Sequence, residues 1–204
     1  MLGLLLLRWG LGDVVWTVVV PVKGTVAAKS RLGASTALAM AIALDTVAAA
    51  VEAAGEVVVV TSQAVAPEFE ELGARIVLDP GTGLGGAVAA GIASARDVAV
   101  AVLLGDVPAL RPAELAAALL AAQRHPLSFV ADAECTGTVL ITALDGREHA
   151  PAFGPGSRAL HAAAGYVELP IDVSSGLRRD VDTPDQLDVL DGRLGPRTVA
   201  ALAG

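Results

Sequence analysis

One cysteine, Cys135, stands in a chain of 204 residues, which excludes a disulfide within the chain and any CxxC metal site. Aromatic residues make up only 3%, so Ala, Val and Leu must build the core. That suits closely packed helices on a parallel sheet better than a sandwich of aromatic pairs. Positive charge is scarce: Lys plus Arg number 14 against 22 Asp plus Glu, a formal charge of −8. A nucleic-acid partner needs a basic face that this balance does not supply, and an anionic substrate needs local cations or metal ions. No apolar stretch is expected to reach the roughly eighteen residues that span a bilayer, so no membrane partner is expected. The opening MLGLLLLRWGLGDVV lacks a basic n-region, breaks its Leu run at Arg8 and has no A-x-A site after it, against a signal peptide. The cytoplasm is the expected compartment. No GxSxG, HExxH or GxxxxGK[ST] motif occurs. His125, His149 and His161 lack metal-ligand spacing and are expected at the surface, whereas Cys135 is expected as a small buried hydrophobe.

What is present is a chain 54% hydrophobic, too apolar for disorder and of a length for one domain. Residues 1–13 read as an extension and residues 14–204 as the domain. Strands are expected over Val14–Val20, Glu56–Thr61, Arg75–Leu78 and Val98–Leu104. Helices are expected over Ser35–Ala54, Pro67–Leu72, Gly85–Ala95 and Pro112–Gln123, the last with Pro in its first turn. Continuous apolar strands indicate burial on both faces, hence a parallel sheet with helices on each side. After about residue 125 the pattern loosens: strands at Ser128–Ala131 and Thr138–Ala143, a helix at Ser157–Ala164, then extended segments at Tyr166–Leu169 and Leu177–Val181.

The chain has twelve Arg but only Lys23 and Lys29, both in VPVKGTVAAKSRLG. Lysine is a compact point charge suited to a phosphate oxygen, and Arg31 adds a bidentate donor; an ordinary solvated loop is the alternative. In LLGDVPAL, Asp106 follows a buried strand, where open α/β sheets place ligand-binding groups, although it could also cap the next helix. In RRDVDTPDQL, Asp180 and Asp182 project to one side if the segment is extended. Two carboxylates together repel unless a cation such as Mg²⁺ lies between them. Capping by Asp182 or Thr183, with Pro184 at the first helical position, explains only one of these residues. The hydroxyls of TGT (Thr136–Thr138) and the glycines of FGPGSRAL, with Ser157 as N-cap, make a phosphate or carboxylate seat or else ordinary turns. The glycine-rich Gly81–Gly86 reads as a loop that lets a nucleotide approach the backbone.

VPVKGTVAAKSRL, LLGDVPAL, FVAD…TGT, FGPGS and RRDVDTP, in this order, resemble the guanylyltransferases of coenzyme F420 biosynthesis over roughly residues 14–200. These are the phosphoenolpyruvate and 2-phospho-L-lactate enzymes. The resemblance implies a single-domain three-layer α/β/α nucleotidyltransferase fold of MobA-like type with a mostly parallel central sheet. It implies transfer of GMP from GTP to the phosphate of phosphoenolpyruvate, or of 2-phospho-L-lactate, with release of pyrophosphate. On the matching positions Asp106, Asp180 and Asp182 would hold Mg²⁺. Thr138, Gly154 and Ser157 would seat the acid, and Lys23, Lys29 and Arg31 would face the nucleotide phosphates. Lys23, Lys29 and Asp106 would be the catalytic set. Many relatives have Asn where this chain has Gly85, next to the nucleotide. A homodimer is compatible with this reading. Other acceptors, such as molybdopterin or a sugar phosphate, and a non-catalytic nucleotide-binding regulator are the alternatives. No side-chain nucleophile is required, because the substrate's own phosphate oxygen attacks.

Overall fold

A computed structural model describes residues 14–22, 36–190 and 192–203. Lys23, Lys29 and Arg31 lie outside them. In chain order the elements are β1 (Trp16–Pro21), α1 (Thr36–Ala53), β2 (Glu56–Thr61), α2 (Ala66–Glu70), β3 (Arg75–Leu78), α3 (Leu84–Ser94), β4 (Ala99–Leu103), α4 (Pro112–Ala122), β5 (Leu127–Ala131) and β6 (Thr138–Ala143). Then come α5 (Ser157–Ala163), β7 (Val167–Glu168), α6 (Pro184–Asp188) and α7 (Pro196–Ala203).

The seven strands form one sheet in the order β3-β2-β1-β4-β6-β5-β7. Pairs β1/β2, β1/β4, β2/β3 and β5/β7 are parallel, whereas β6 runs antiparallel to both β4 and β5. The unbroken apolar runs explain the layering. Val18, Val20, Val57, Val59, Ala101 and Leu103 point to one face, against α1 and α4. Their neighbours Val19, Val58, Val60, Val100 and Val102 point to the other, against α3. Alternate residues of a strand face opposite ways, so a run apolar at every position needs helices on both sides, and each buried Val contributes roughly 1.5–3 kcal/mol. Gly91 lets α3 lie directly on the sheet, since a Cβ there would collide with Val19.

α1 is long and apolar enough to cross a membrane by length and composition, contrary to the expectation that no stretch reaches that size. It packs instead on the sheet and on α4 and α7. Asp45, buried within it, accepts hydrogen bonds from the Thr198 backbone N–H (2.8 Å), the Thr198 hydroxyl (2.8 Å) and the Arg197 backbone N–H (3.2 Å). This pins α7 to α1. The Gly195 N–H donates to the Pro108 carbonyl at 2.8 Å, fastening the chain before α7 to the loop after β4.

The expected strand Leu177–Val181 does not form. Gly176–Arg178 is a 3-10 turn, and the backbone through Asp182 is irregular. Arg178 is the cause: its buried guanidinium donates to the Asp132 carbonyl (2.7 and 3.2 Å) and the Ile171 carbonyl (2.9 Å), folding the segment across the sheet end instead of along a neighbouring strand.

Candidate active site

Strands β4 and β5 end on the same side of the sheet, where β6 begins: Leu103 and Val130 both face Leu140 of β6. Three segments converge there, namely the loop after β4 carrying Asp106, the loop after β5 from Asp132 to Gly137, and the segment 176–182. The Val181 N–H donates to the Asp106 carbonyl at 3.0 Å, and the Ala133 N–H to the Arg178 carbonyl at 2.8 Å. Glu114 at the start of α4 accepts from the Ser175 hydroxyl and the Gly176 N–H, both at 2.9 Å. Gly176 is required at that point, because a Cβ would overlap the Ala109 carbonyl.

These joints gather carboxylates. Asp132, Glu134 and Asp180 each bring an oxygen within 4.8 Å of the others. Asp106 and Asp182 also act electrostatically on Asp180. Burial pushes the Asp180 carboxyl up to about 8, and the negative charges of Asp106, Asp132, Asp182 and Glu134 push in the same direction. Asp180 Oδ1 is occluded and has no hydrogen-bond partner among the described residues. Asp132 is held rigid by its own loop: its carboxylate accepts the Thr136 N–H (2.8 Å) and the Gly137 N–H (2.6 Å). Glu134 accepts from Gln186 at 3.3 Å. An occluded, unsatisfied oxygen among several carboxylates, on a protein with few cations, matches the all-oxygen donor set of a hard divalent cation.

The sequence expectations meet this geometry unevenly. Asp106 and Asp182 act on Asp180 electrostatically, but the carboxylates whose oxygens lie within 4.8 Å of one another are Asp132, Glu134 and Asp180. Thr183 is the N-cap of α6, Pro184 its first residue, and Gln186 turns back to accept the Thr183 and Asp182 N–H groups at 3.0 and 2.7 Å. Capping therefore leaves both aspartates of RRDVDTP unexplained. Asp132 and Glu134 were missed, although FVADAE places acidic residues after a buried strand just as LLGD does. Ser157 is not the N-cap of α5; Gly156, in the left-handed region at φ 74°, takes that position, and Ser157 is the first helical residue. Gly154 lies in the turn before it, its carbonyl accepting the Ser157 N–H at 3.0 Å. Gly85 is the exposed second residue of α3, beyond the end of β3 and on an element separate from the carboxylates. Arg158 pairs at the surface with Glu168 at 2.9 Å. Val22, the last described residue before Lys23, is buried, and its N–H donates to the Val60 carbonyl at 2.8 Å.

Two expectations are overturned. Cys135 is exposed rather than buried; it takes a left-handed backbone at φ 58° and contacts Arg178 Nη2 through Sγ at 3.1 Å. His161 is fully buried rather than at the surface, with Nδ1 3.0 Å from the Thr138 hydroxyl and Nε2 accepting the Ala152 N–H at 3.0 Å. His149 is part-buried beside it, 2.9 Å from the Val100 carbonyl and 3.0 Å from the Tyr166 hydroxyl. Burial lowers its pKa to about 4.

Comparison with known proteins gives this arrangement its context. Residues 34–168 match the model of the MobA-like NTP transferase domain. A phosphoenolpyruvate guanylyltransferase of Streptomyces coelicolor is 49% identical over 203 residues, covering 92% of this chain and 96% of that protein. One of Salinispora arenicola is 50% identical over 203 residues, covering 93% and 94%. Among solved structures, a nucleotidyl transferase from Methanothermobacter thermautotroptrophicus superposes with a TM-score of 0.60 at 17% identity, covering 87% of this chain and 96% of that one. The 2-C-methyl-D-erythritol 4-phosphate cytidylyltransferase of Thermus thermophilus gives a TM-score of 0.59 at 18% identity, covering 93% and 100%. The sheet order, the helices on its two faces and these matches agree, and the chain belongs to the MobA-like NTP transferase family, in company with the phosphoenolpyruvate guanylyltransferases.

Proposed function

We propose that this protein is a guanylyltransferase that transfers GMP from GTP to the phosphate of phosphoenolpyruvate, giving enolpyruvyl-diphospho-guanosine and pyrophosphate. The observation that carries the reading is near-half identity, over nine-tenths of the chain, to relatives of that name, joined to a carboxylate cluster at the sheet end. Residues 14–204 act as one catalytic unit. Asp106, Asp180 and Asp182 are the residues that would hold Mg²⁺, with Asp132 and Glu134 beside them. A cation held there would supply charge to offset the polyphosphate and the charge developing on the transferred group.

The protein's own residues supply the rest. Asp180, made a costly anion by its surroundings, has reason to accept a cation and so draws the nucleotide to this end of the sheet. Lys23, Lys29 and Arg31, which follow β1 in the sequence, would supply the positive charge that offsets repulsion between two polyanions. Thr138 and Ser157 offer hydroxyls, and Gly154 a close backbone, to the carboxylate and phosphate of the three-carbon acid. No side-chain nucleophile takes part: a phosphate oxygen of the acid attacks the α-phosphorus of GTP, the bond from that phosphorus to the α,β-bridging oxygen breaks, and pyrophosphate leaves with the electron pair.

The test is a competition. Phosphoenolpyruvate and 2-phospho-L-lactate at equal concentration are incubated with GTP, Mg²⁺ and enzyme, and the products are weighed. An enolpyruvyl product in excess is expected. A predominant lactyl product removes the choice of acid, and absence of pyrophosphate release with either removes the reaction.

A further inference from the structure

We propose that His161 is a positioning residue that turns the Thr138 hydroxyl into a hydrogen-bond donor toward an anionic oxygen of the acid substrate. The inference rests on the seat assigned above to Thr138 and names what sets its polarity. Ala152 can only donate through its backbone N–H, so the 3.0 Å contact makes His161 Nε2 an acceptor without a proton. The single ring proton is therefore on Nδ1, the atom 3.0 Å from Thr138 Oγ1. A backbone hydrogen bond to Ser157, one helical turn earlier, gives the same N–H a second acceptor. Whichever oxygen takes the larger share of that proton, Nδ1 has no lone pair to offer, and Thr138 cannot donate to it. Complete burial of the ring favours the neutral form that this arrangement needs, lowering its pKa.

The consequence falls on Thr138. Its hydroxyl has one proton, and His161 is its one hydrogen-bond partner among the described residues. With that partner fixed as a donor, the Thr138 proton is unspent on a residue only 3% exposed. Leaving a buried donor unsatisfied is unfavourable, because the group gives up water and gains no acceptor. A ligand oxygen that accepts this proton recovers the cost, and a carboxylate or phosphate oxygen, which only accepts, is the matching chemistry. Ser157, 1% exposed as the first residue of α5, carries a second hydroxyl on the helix that holds His161. His161, on the next turn of that helix, ties α5 to the strand β6 that carries Thr138.

The experiment reads Michaelis constants for GTP and for the acid separately. His161→Gln keeps an acceptor for Ala152 but loses the donor at the Nδ1 position, whereas His161→Asn keeps a donor there. The expected result is a rise of about tenfold in KM for phosphoenolpyruvate in His161→Gln, equivalent to about 1.4 kcal/mol. The rise should be much smaller in His161→Asn, with KM for GTP unchanged in both. Thr138→Val should raise the same KM, and adding His161→Gln to it should change nothing further. Equal effects of Gln and Asn, a parallel rise in KM for GTP, or multiplying effects in the double variant would each overturn the proposal. The failures separate: a silent Thr138→Val removes the acid seat itself, whereas an active Thr138→Val with a silent His161→Gln removes only the positioning role. Nitrogen NMR of the wild-type imidazole requires no variant to fold. The Nδ1–H tautomer supports the proposal and the Nε2–H tautomer refutes it.

Discussion

Replacing Asp180 by Asn should abolish turnover and yet make the metal-free protein more stable at neutral pH. In the folded chain the Asp180 carboxyl titrates at about 8 against an ordinary 3.8. Between those values the unfolded chain is ionised while the folded one holds its proton. The stability associated with the protonated form is fully present below the unfolded pKa and is lost as pH rises through the folded one. Each pH unit crossed costs about 1.4 kcal/mol, so the cost at pH 7 is about 4 kcal/mol, a ceiling because the neighbouring carboxylates share protons with it. Asn carries no such cost, and its amide can donate to the carboxylates that repel the aspartate. For a chain of this size a kilocalorie shifts the melting point by about 2–4 °C, so the variant should melt on the order of 10 °C higher in EDTA at pH 7. The gap should close as pH falls below the unfolded value of 3.8, where both states of the wild type hold the proton. Adding Mg²⁺ should raise the wild-type melting temperature and leave that of the variant nearly unchanged. A variant that melts at or below the wild type at pH 8 in EDTA would falsify the electrostatic account of the cluster.

Asp106→Asn and Asp182→Asn should each lower kcat by at least about a hundredfold at saturating Mg²⁺ with a native circular-dichroism spectrum; near-normal pyrophosphate release in either would remove that residue from the metal set. Lys23→Gln and Lys29→Gln should weaken GTP binding or turnover, and Arg at either position should not fully restore it, because a planar fork does not replace a point charge; GTP titrations compare them directly. Arg178→Met should cost about 3 kcal/mol by removing the guanidinium hydrogen bonds to the Asp132 and Ile171 carbonyls, and it should weaken Mg²⁺ binding by loosening the loop that carries Asp132 and Glu134. Calorimetric Mg²⁺ titration and urea melts measure the two losses together.

The strands β2, β3 and β6 were legible to the residue because each is a β-branched or apolar run with a clear break in pattern at both ends. The place of Asp106 was legible for a similar reason, since it follows a buried apolar strand; the burial of Asp180 was not, since no strand forms around it. The reversed direction of β6 was not legible, since a buried strand reads alike in either direction. The segment 177–181 misleads because Leu177 and Val181 suggest a strand, while the determinant is a buried Arg178 bonded to carbonyls 46 and 7 residues away. α5 inverts the usual rule, with Leu160 53% exposed and His161 at 0%. A helix of seven residues gives hydrophobic periodicity too few turns to reveal which face is inside, and only the partners Thr138 and Ala152 explain the burial.

The knot between α1 and α7 makes the carboxyl terminus a structural keystone rather than a tail. Asp45 sits in the core only because Thr198 and Arg197 neutralise its hydrogen-bonding demand, and the same stretch braces the Asp106 loop through Gly195 and Pro108. A protease cut after Leu194 would strand a carboxylate inside α1, a loss of roughly 3–5 kcal/mol, and would release the loop that carries Asp106. Proteolytic trimming at that end would therefore inactivate the enzyme from a distance, so that an intact C-terminus in a mass spectrum doubles as a quality certificate for the active site.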